Sequence, residues 1–139
     1  MKTSISLLFL TLTALSVHVF AHGENKPGPH GGYIRMPGAF HTEVVKEKNG
    51  YRIYLLDMNW KNPSVLDSSV SANILAGKKK TELTCTKELN SYFCKSSLAE
   101  KGELNITAKR EGQTGIVAQY KLPLKFEDPQ NEMPAHHSH

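Results

Sequence analysis

Apolar residues in this chain recur at every second position and not at helical spacing. Phe40, Thr42 and Val44 alternate with His41, Glu43 and Val45. Val70, Ala72 and Ile74 alternate with serine and asparagine, and Leu104, Ile106 and Ala108 repeat the pattern. Ile116, Ala118, Tyr120, Leu122, Leu124 and Phe126 extend it toward the C-terminus. Successive side chains of a strand point to opposite faces, so each run predicts a half-buried β-strand. A helix packed on a core would need an apolar stripe of period 3.6, and the chain after its first apolar segment carries none.

Punctuation between the runs agrees. Asn49-Gly50 separates two strand-like segments, the second being Tyr51 to Met58, which is the strongest short-range hairpin signal. Tyr33 to Met36 reads as a short strand stopped by Pro37-Gly38. Short strands at roughly ten-residue spacing predict an all-β fold, an immunoglobulin-like antiparallel β-sandwich of seven to eight strands over residues 33–126.

The first segment has a different character. Lys2 precedes a mostly apolar run from Ile5 to Phe20, and Val19 and Ala21 supply the small residues read by a signal peptidase. The run is short for a transmembrane helix, which takes ~20 residues. Residues 1–21 are therefore expected to be a signal peptide cleaved after Ala21, leaving His22 as the first residue and no membrane anchor. The expected location is the periplasm or the secreted fraction. The remaining 118 residues fit one domain and carry a net charge of +3. The one basic run, Lys78-Lys79-Lys80, follows Gly77 and reads as a lysine-tipped hairpin turn that protects a sheet edge. No nucleic-acid partner is expected.

Cys85 and Cys94 are the only cysteines. In an oxidising compartment they are expected to form a disulfide between two short strands joined by a turn at Lys87-Glu88-Leu89-Asn90.

The histidines carry the chemistry. After Ala21 there are six: His22, His30, His41, His136, His137 and His139. None lies between Thr42 and Ala135, where the regular strands fall. An N-terminal histidine offers its α-amine and imidazole as a compact chelate, and additional imidazoles from His30 and His41 would complete a square-planar or T-shaped site. Imidazole suits copper, zinc and nickel, and affinity peaks at copper. The expected ion is copper, with Cu(II) favoured by this donor set and Cu(I) open through the thioether of Met36.

Glu43 shares a strand face with His41, as ligand or as orienting carboxylate. Read for charge alone, Glu43 and Glu47 fall among lysines on a solvent-facing stretch. His136, His137 and His139 form a weak secondary metal candidate in a polar tail, residues 127–139, expected to be disordered. Residues 22–32, with Pro27 and Pro29, read as a flexible arm. Trp60, the single tryptophan, reads as a core or loop-packing residue. The sequon Asn105-Ile106-Thr107 lies within a predicted strand and reads as coincidental.

The segments His30-Gly31-Gly32, Pro37 to Val45 and Tyr54-Leu55-Leu56-Asp57 resemble small secreted β-sandwich proteins linked to heavy-metal resistance and efflux. The chain is also broadly similar to periplasmic copper-resistance domains of the CopC type and to YtkA-like domains. The resemblance implies an immunoglobulin-like fold and a copper-binding first histidine, here His22, with His41 as its strand-borne partner. It covers His22 to about Phe126 in architecture, with its motifs confined to residues 22–57. The chain differs from CopC-type proteins in having no histidine late in the sandwich and no methionine-rich loop.

The expected role is copper binding without turnover, with transfer to a periplasmic efflux system or cuproenzyme as the partner step. A metal-independent adhesion or envelope-assembly module is the alternative, and a small copper monooxygenase is a third. There is no Gly-x-Ser-x-Gly motif and no histidine after His41 within the sandwich to act as a hydrolytic base.

Overall fold

The computed structural model describes residues 25–97 and 101–126. The expected signal peptide, its cleavage point, His22 and the tail with His136, His137 and His139 lie outside the described residues.

The described chain is all-β and antiparallel. Its strands are β1 (Tyr33–Arg35), β2 (His41–Glu47), β3 (Gly50–Leu56), β4 (Ser69–Ala76), β5 (Lys79–Lys87), β6 (Tyr92–Lys95), β7 (Gly102–Arg110), β8 (Gln113–Thr114) and β9 (Ala118–Leu122). The hydrogen-bonded path runs β1-β2-β3-β6-β5-β4-β7, with β8 and β9 both pairing β7. This is the predicted β-sandwich. Counting the short β1 and β8 brings the described strands to nine.

Strand β5 joins the two layers. Its first half pairs β4 from Lys79 to Leu83, and its second half pairs β6 from Thr84 to Lys87. The layers are closed at their other ends by contacts between the β1 and β9 regions. Tyr33 Oη donates to the Leu124 carbonyl at 3.1 Å, and Arg35 Nε donates to the Gln119 carbonyl at 3.1 Å. The Ile116 amide donates to the Pro37 carbonyl at 2.9 Å. These bonds occupy sheet edges that would otherwise offer unpaired backbone groups.

The core is the inner half of the alternation. One layer contributes Phe40, Val44, Tyr51, Ile53, Leu55, Tyr92 and Cys94; the other contributes Ala72, Ile74, Leu104, Ile106, Ala108, Ala118, Tyr120 and Leu122. Burial contributes ~1.5–3 kcal/mol for each valine, leucine, isoleucine or phenylalanine among them. The alternation fails at its C-terminal extension, where Ile116 is 64% exposed, because its segment crosses to Pro37 instead of following the β7–β9 ladder.

Turn chemistry follows the sequence in outline. The β2–β3 hairpin turns on Lys48 and Asn49, with Gly50 already paired as the first residue of β3. Glycine is required there because a Cβ would collide with the Cys94 carbonyl oxygen. The lysine-tipped turn joins β4 to β5, with Gly77 at φ 61°. Cys85 and Cys94 face one another across the β5–β6 ladder and are bonded to each other, as expected.

Strand β2 departs from the half-buried expectation. His41, Thr42, Glu43 and Val44 are all buried. Its outer face is covered as well as its inner one, at Glu43 by the segment preceding β1 and at His41 by the loop after β3.

Candidate functional site

The outer cover is organised around Glu43. Charge patterning placed this carboxylate toward solvent; instead it has no exposed surface. A buried carboxylate must be hydrogen-bonded or neutralised, and Glu43 has three bonds from one short stretch of chain. Oε1 accepts from the His30 amide at 2.8 Å and from the Gly32 amide at 3.0 Å. Oε2 meets His30 Nδ1 at 2.7 Å.

The sequence makes this wrap possible through its glycines. The Gly31 amide donates to the Gly28 carbonyl, and the Gly28 amide donates to the Gly32 carbonyl, each at 2.9 Å, so residues 28–32 close into a tight turn. Gly31 sits at φ 75°, where a side chain is disfavoured. A Cβ on Gly28 would collide with the Glu43 carboxylate, and one on Gly32 would lie 2.6 Å from the Val44 carbonyl oxygen. The part of the arm read as flexible is thus laid on the sheet from Gly28 onward, and its glycines let the backbone approach the carboxylate.

His30 is fixed on a second side. Its ring stacks on Tyr54 with centroids 3.6 Å apart and planes within 1°. Tyr54 is the register partner of Glu43 on β3, so carboxylate and aromatic ring reach the imidazole from neighbouring strands. The His30 side chain retains about one-third exposure, at 32%. With Nδ1 engaged by a carboxylate, Nε2 is the nitrogen left for a ligand. A carboxylate that orients an imidazole through its other nitrogen is the usual outer partner of a metal-bound histidine.

His41 occupies a different environment. It is 5% exposed, and its Nδ1 lies 3.1 Å from the Asp57 carbonyl oxygen. A carbonyl only accepts, so Nδ1 carries the proton in this bond and Nε2 is the free nitrogen. Its ring meets Trp60 edge-on, with centroids 6.0 Å apart and planes at 69°. Trp60 is therefore a loop-packing residue.

The Trp60 loop is rigidly tied. Asp57 Oδ1 accepts from the Asn59 and Lys61 amides, and Oδ2 accepts from Asn62 Nδ2. These bonds, first among them that from the Lys61 amide, hold the Asp57 carboxyl below its ordinary range. Arg110 reaches across from β7, donating to the Leu55 carbonyl at 3.3 Å and to the Asn62 carbonyl at 2.7 Å.

On the inner face of the same strand, Thr42 meets Tyr120. The Tyr120 hydroxyl donates to the Thr42 carbonyl at 3.1 Å, which leaves the Thr42 hydroxyl to donate to the Tyr120 oxygen at 2.6 Å. Burial raises the Tyr120 phenol well above its usual range, so it stays protonated. This pair is structural.

His30, Glu43 and His41 share the outer face of the layer without forming a ligand cluster: no group of three or more His, Cys, Asp or Glu poised for a metal exists among the described residues. His30 with Glu43 is one centre and His41 with the Trp60 loop is another. Met36 follows β1 and is 44% exposed. Asn105 of the sequon pairs Asn73 across the β4–β7 ladder, its Nδ2 donating to Asn73 Oδ1 at 3.4 Å.

Sequence reasoning missed the stacking partner Tyr54 and the closeness of residues 28–32 to Glu43. The available signal was the Gly28-Pro29-His30-Gly31-Gly32 run, whose glycines and proline are turn formers. Searches against protein-family models, curated proteins and solved structures returned no match.

Proposed function

We propose that this chain is an extracytoplasmic copper-binding protein that sequesters copper or passes it to an efflux system or cuproenzyme. The α-amine and imidazole of His22, exposed by cleavage after Ala21, form the chelate. His30 supplies a further imidazole through Nε2, and His41 is the other imidazole candidate. Glu43 positions His30 and does not itself bind metal, because its oxygens are taken up by the two amides and the His30 ring.

The observation that carries this reading is the His30–Glu43 pair. It presents a partly exposed imidazole with one nitrogen fixed and the other free, eight residues from His22. Two nitrogen donors on His22 with one or two imidazoles suit Cu(II) in preference to other divalent ions. The disulfide agrees with an oxidising compartment.

The test is a Cu(II) titration of the chain beginning at His22, alongside a form carrying one additional residue before it. The shorter form should bind one equivalent more tightly than Zn(II), and the extension should abolish most of that affinity. Equal affinity of the two forms would overturn the chelate.

A second reading has its own observation. Three hydrogen bonds to Glu43 and the stack on Tyr54 suffice to explain His30 as an anchor for the arm. A metal-independent envelope module would then be the function, and absence of Cu(II) binding by the form starting at His22 would favour it.

A further inference from the structure

Charge is spread unevenly along the sandwich, and the turns of one end are rich in lysine. Lys48 lies in the β2–β3 turn, Lys46 comes two residues before it, and Lys95 ends β6 opposite Gly50. Lys78 lies in the β4–β5 turn, followed on β5 by Lys79 and Lys80. The two groups share an end because β5 runs through both layers: Thr84 pairs Lys95, and Lys80 precedes Thr84 on the same strand. Strand rise and strand spacing then put Lys80 and Lys95 about 14 Å apart. All six lysines are exposed.

Few carboxylates balance them. Among the described residues this end carries Glu47, Glu82 and Glu103. Arg52 holds Glu47 through contacts of 2.7 and 3.0 Å, Lys80 reaches Glu82 at 3.2 Å, and Glu103 faces Lys121 across the β7–β9 ladder. Lys46, Lys48, Lys78, Lys79 and Lys95 have no ion pair among the described residues. The opposite end is balanced. Its loops set Lys61, Lys109 and Arg110 against Asp57, Asp67 and Glu111, with Lys109 on Asp67 and Arg110 on Glu111, each at 3.2 Å. Protection of a free edge accounts for Lys79 and Lys80 on β5. It does not account for Lys48, which lies in a turn, or for Lys95, whose strand is paired on both sides.

We propose that this lysine-rich end is an adsorption surface for an anionic phospholipid bilayer, holding the chain peripherally with its His41 and Trp60 end turned away from the lipid. The residue type fits such a partner. A lysine ammonium is a compact, hydrated point charge, suited to a field of phosphates and poor at gripping one discrete ligand through paired donors. The placement fits as well, because the lysines come from separate turns that meet at one end and not from the walls of a cleft. Each lysine brought near an anionic leaflet gains roughly fivefold in partitioning. Several acting together hold the chain reversibly, and the balanced end contributes nothing. The surface goes beyond the copper reading and does not rest on it.

The test is cosedimentation of the whole chain after Ala21, free of metal, with vesicles of phosphatidylglycerol and phosphatidylcholine in equal parts, set against phosphatidylcholine alone. Binding should require the anionic lipid and fall steeply as salt rises. Lys78→Gln with Lys79→Gln should weaken it roughly twenty-five-fold, and Lys48→Gln with Lys95→Gln should do the same from the other layer. Lys61→Gln with Lys87→Gln removes equal charge from positions away from this end and should cost less than about threefold. All six positions are exposed, so circular dichroism should show unchanged folds. Equal losses in the three pairs would reduce the effect to net charge and overturn the surface. Trp60 emission should stay constant on binding; a blue shift would show the end bearing the exposed Leu66 and Ile116 entering the lipid, against the proposed orientation. Absence of binding to the anionic vesicles overturns the proposal, and capture by immobilised polyglutamate would then assign the lysines to an acidic polypeptide. The assay contains no metal, so failure of the Cu(II) chelate and failure of this surface are distinguishable.

Discussion

Both faces of β2 are buried over its first four residues, yet they are held by different physics. The inner face, Thr42 and Val44 with Phe40 just before the strand, meets side chains from the opposite layer and, apart from the Thr42–Tyr120 bonds, is stabilised by apolar area removed from water. The outer face, His41 and Glu43, is covered by two short pieces of chain, residues 28–32 and 57–62, and is stabilised by directional bonds to a few polar atoms. Area is tolerant of detail and spread over many residues. Directional bonds concentrate the energy in single atoms and leave specific nitrogens free, which is why the candidate chemistry lies on the outer face.

The strongest way to press this comparison is to remove one residue from each face. Ile106→Ala takes a fully buried side chain from the inner core and should lower unfolding free energy by ~3–4 kcal/mol, as large-to-small core changes do. Urea denaturation followed by circular dichroism measures it, and His30 should stay stacked on Tyr54 in the folded fraction.

Glu43→Ala attacks the outer face. It leaves two amides and an imidazole without their acceptor, at a cost of ~2–4 kcal/mol by the usual penalty for orphaned buried donors. Amide exchange should accelerate at His30 and Gly32 while the β4–β7 ladder stays protected. A uniform loss of protection would mean that the two faces are one cooperative unit.

The disulfide lies with the inner face through Cys94, which is fully buried in the core cluster. Replacing both cysteines by alanine should cost ~2–3 kcal/mol, the chain-entropy value for a loop this short. The outer contacts of His30 and His41 should be unaffected, and NMR shifts of the two imidazoles would show it.

This contrast also sets what was legible in the sequence. The inner face announces itself by period two, so the sandwich, its β4, β7 and β9 core residues and the opposed cysteines follow from Val70, Leu104, Tyr120 and their neighbours. The outer face has no period. Glu43 sits in the alternation where a solvent-facing residue belongs, and only its contact with residues eleven to thirteen positions earlier makes it buried. His41 reads as a surface ligand for the same reason. Its burial comes from the Trp60 loop, whose shape depends on Asp57 capping amides up to four residues ahead. Alternation reports which side a residue faces, but not what the rest of the chain lays over that side.

The smallest expected effect is an acid transition local to the outer face. Hydrogen bonds to its carboxylate hold the Asp57 pKa in the folded state below the ordinary value of 3.8. A carboxyl with a depressed folded value contributes stability that is fully present above the unfolded value and is lost as pH falls through the folded one. The Trp60 loop should therefore keep its shape down to about pH 4 and loosen below it, with a change in Trp60 emission as the indole leaves His41. Asp57→Asn retains a carbonyl acceptor for the Asn59 and Lys61 amides but does not titrate, so its emission should resemble the parent's at neutral pH and lack the acid step. Persistence of the step in that variant would trace it to another carboxyl or to unfolding of the whole sandwich. The loop would then be a passive extension of the inner core, and the separation between the two faces of β2 would fail where it is most local.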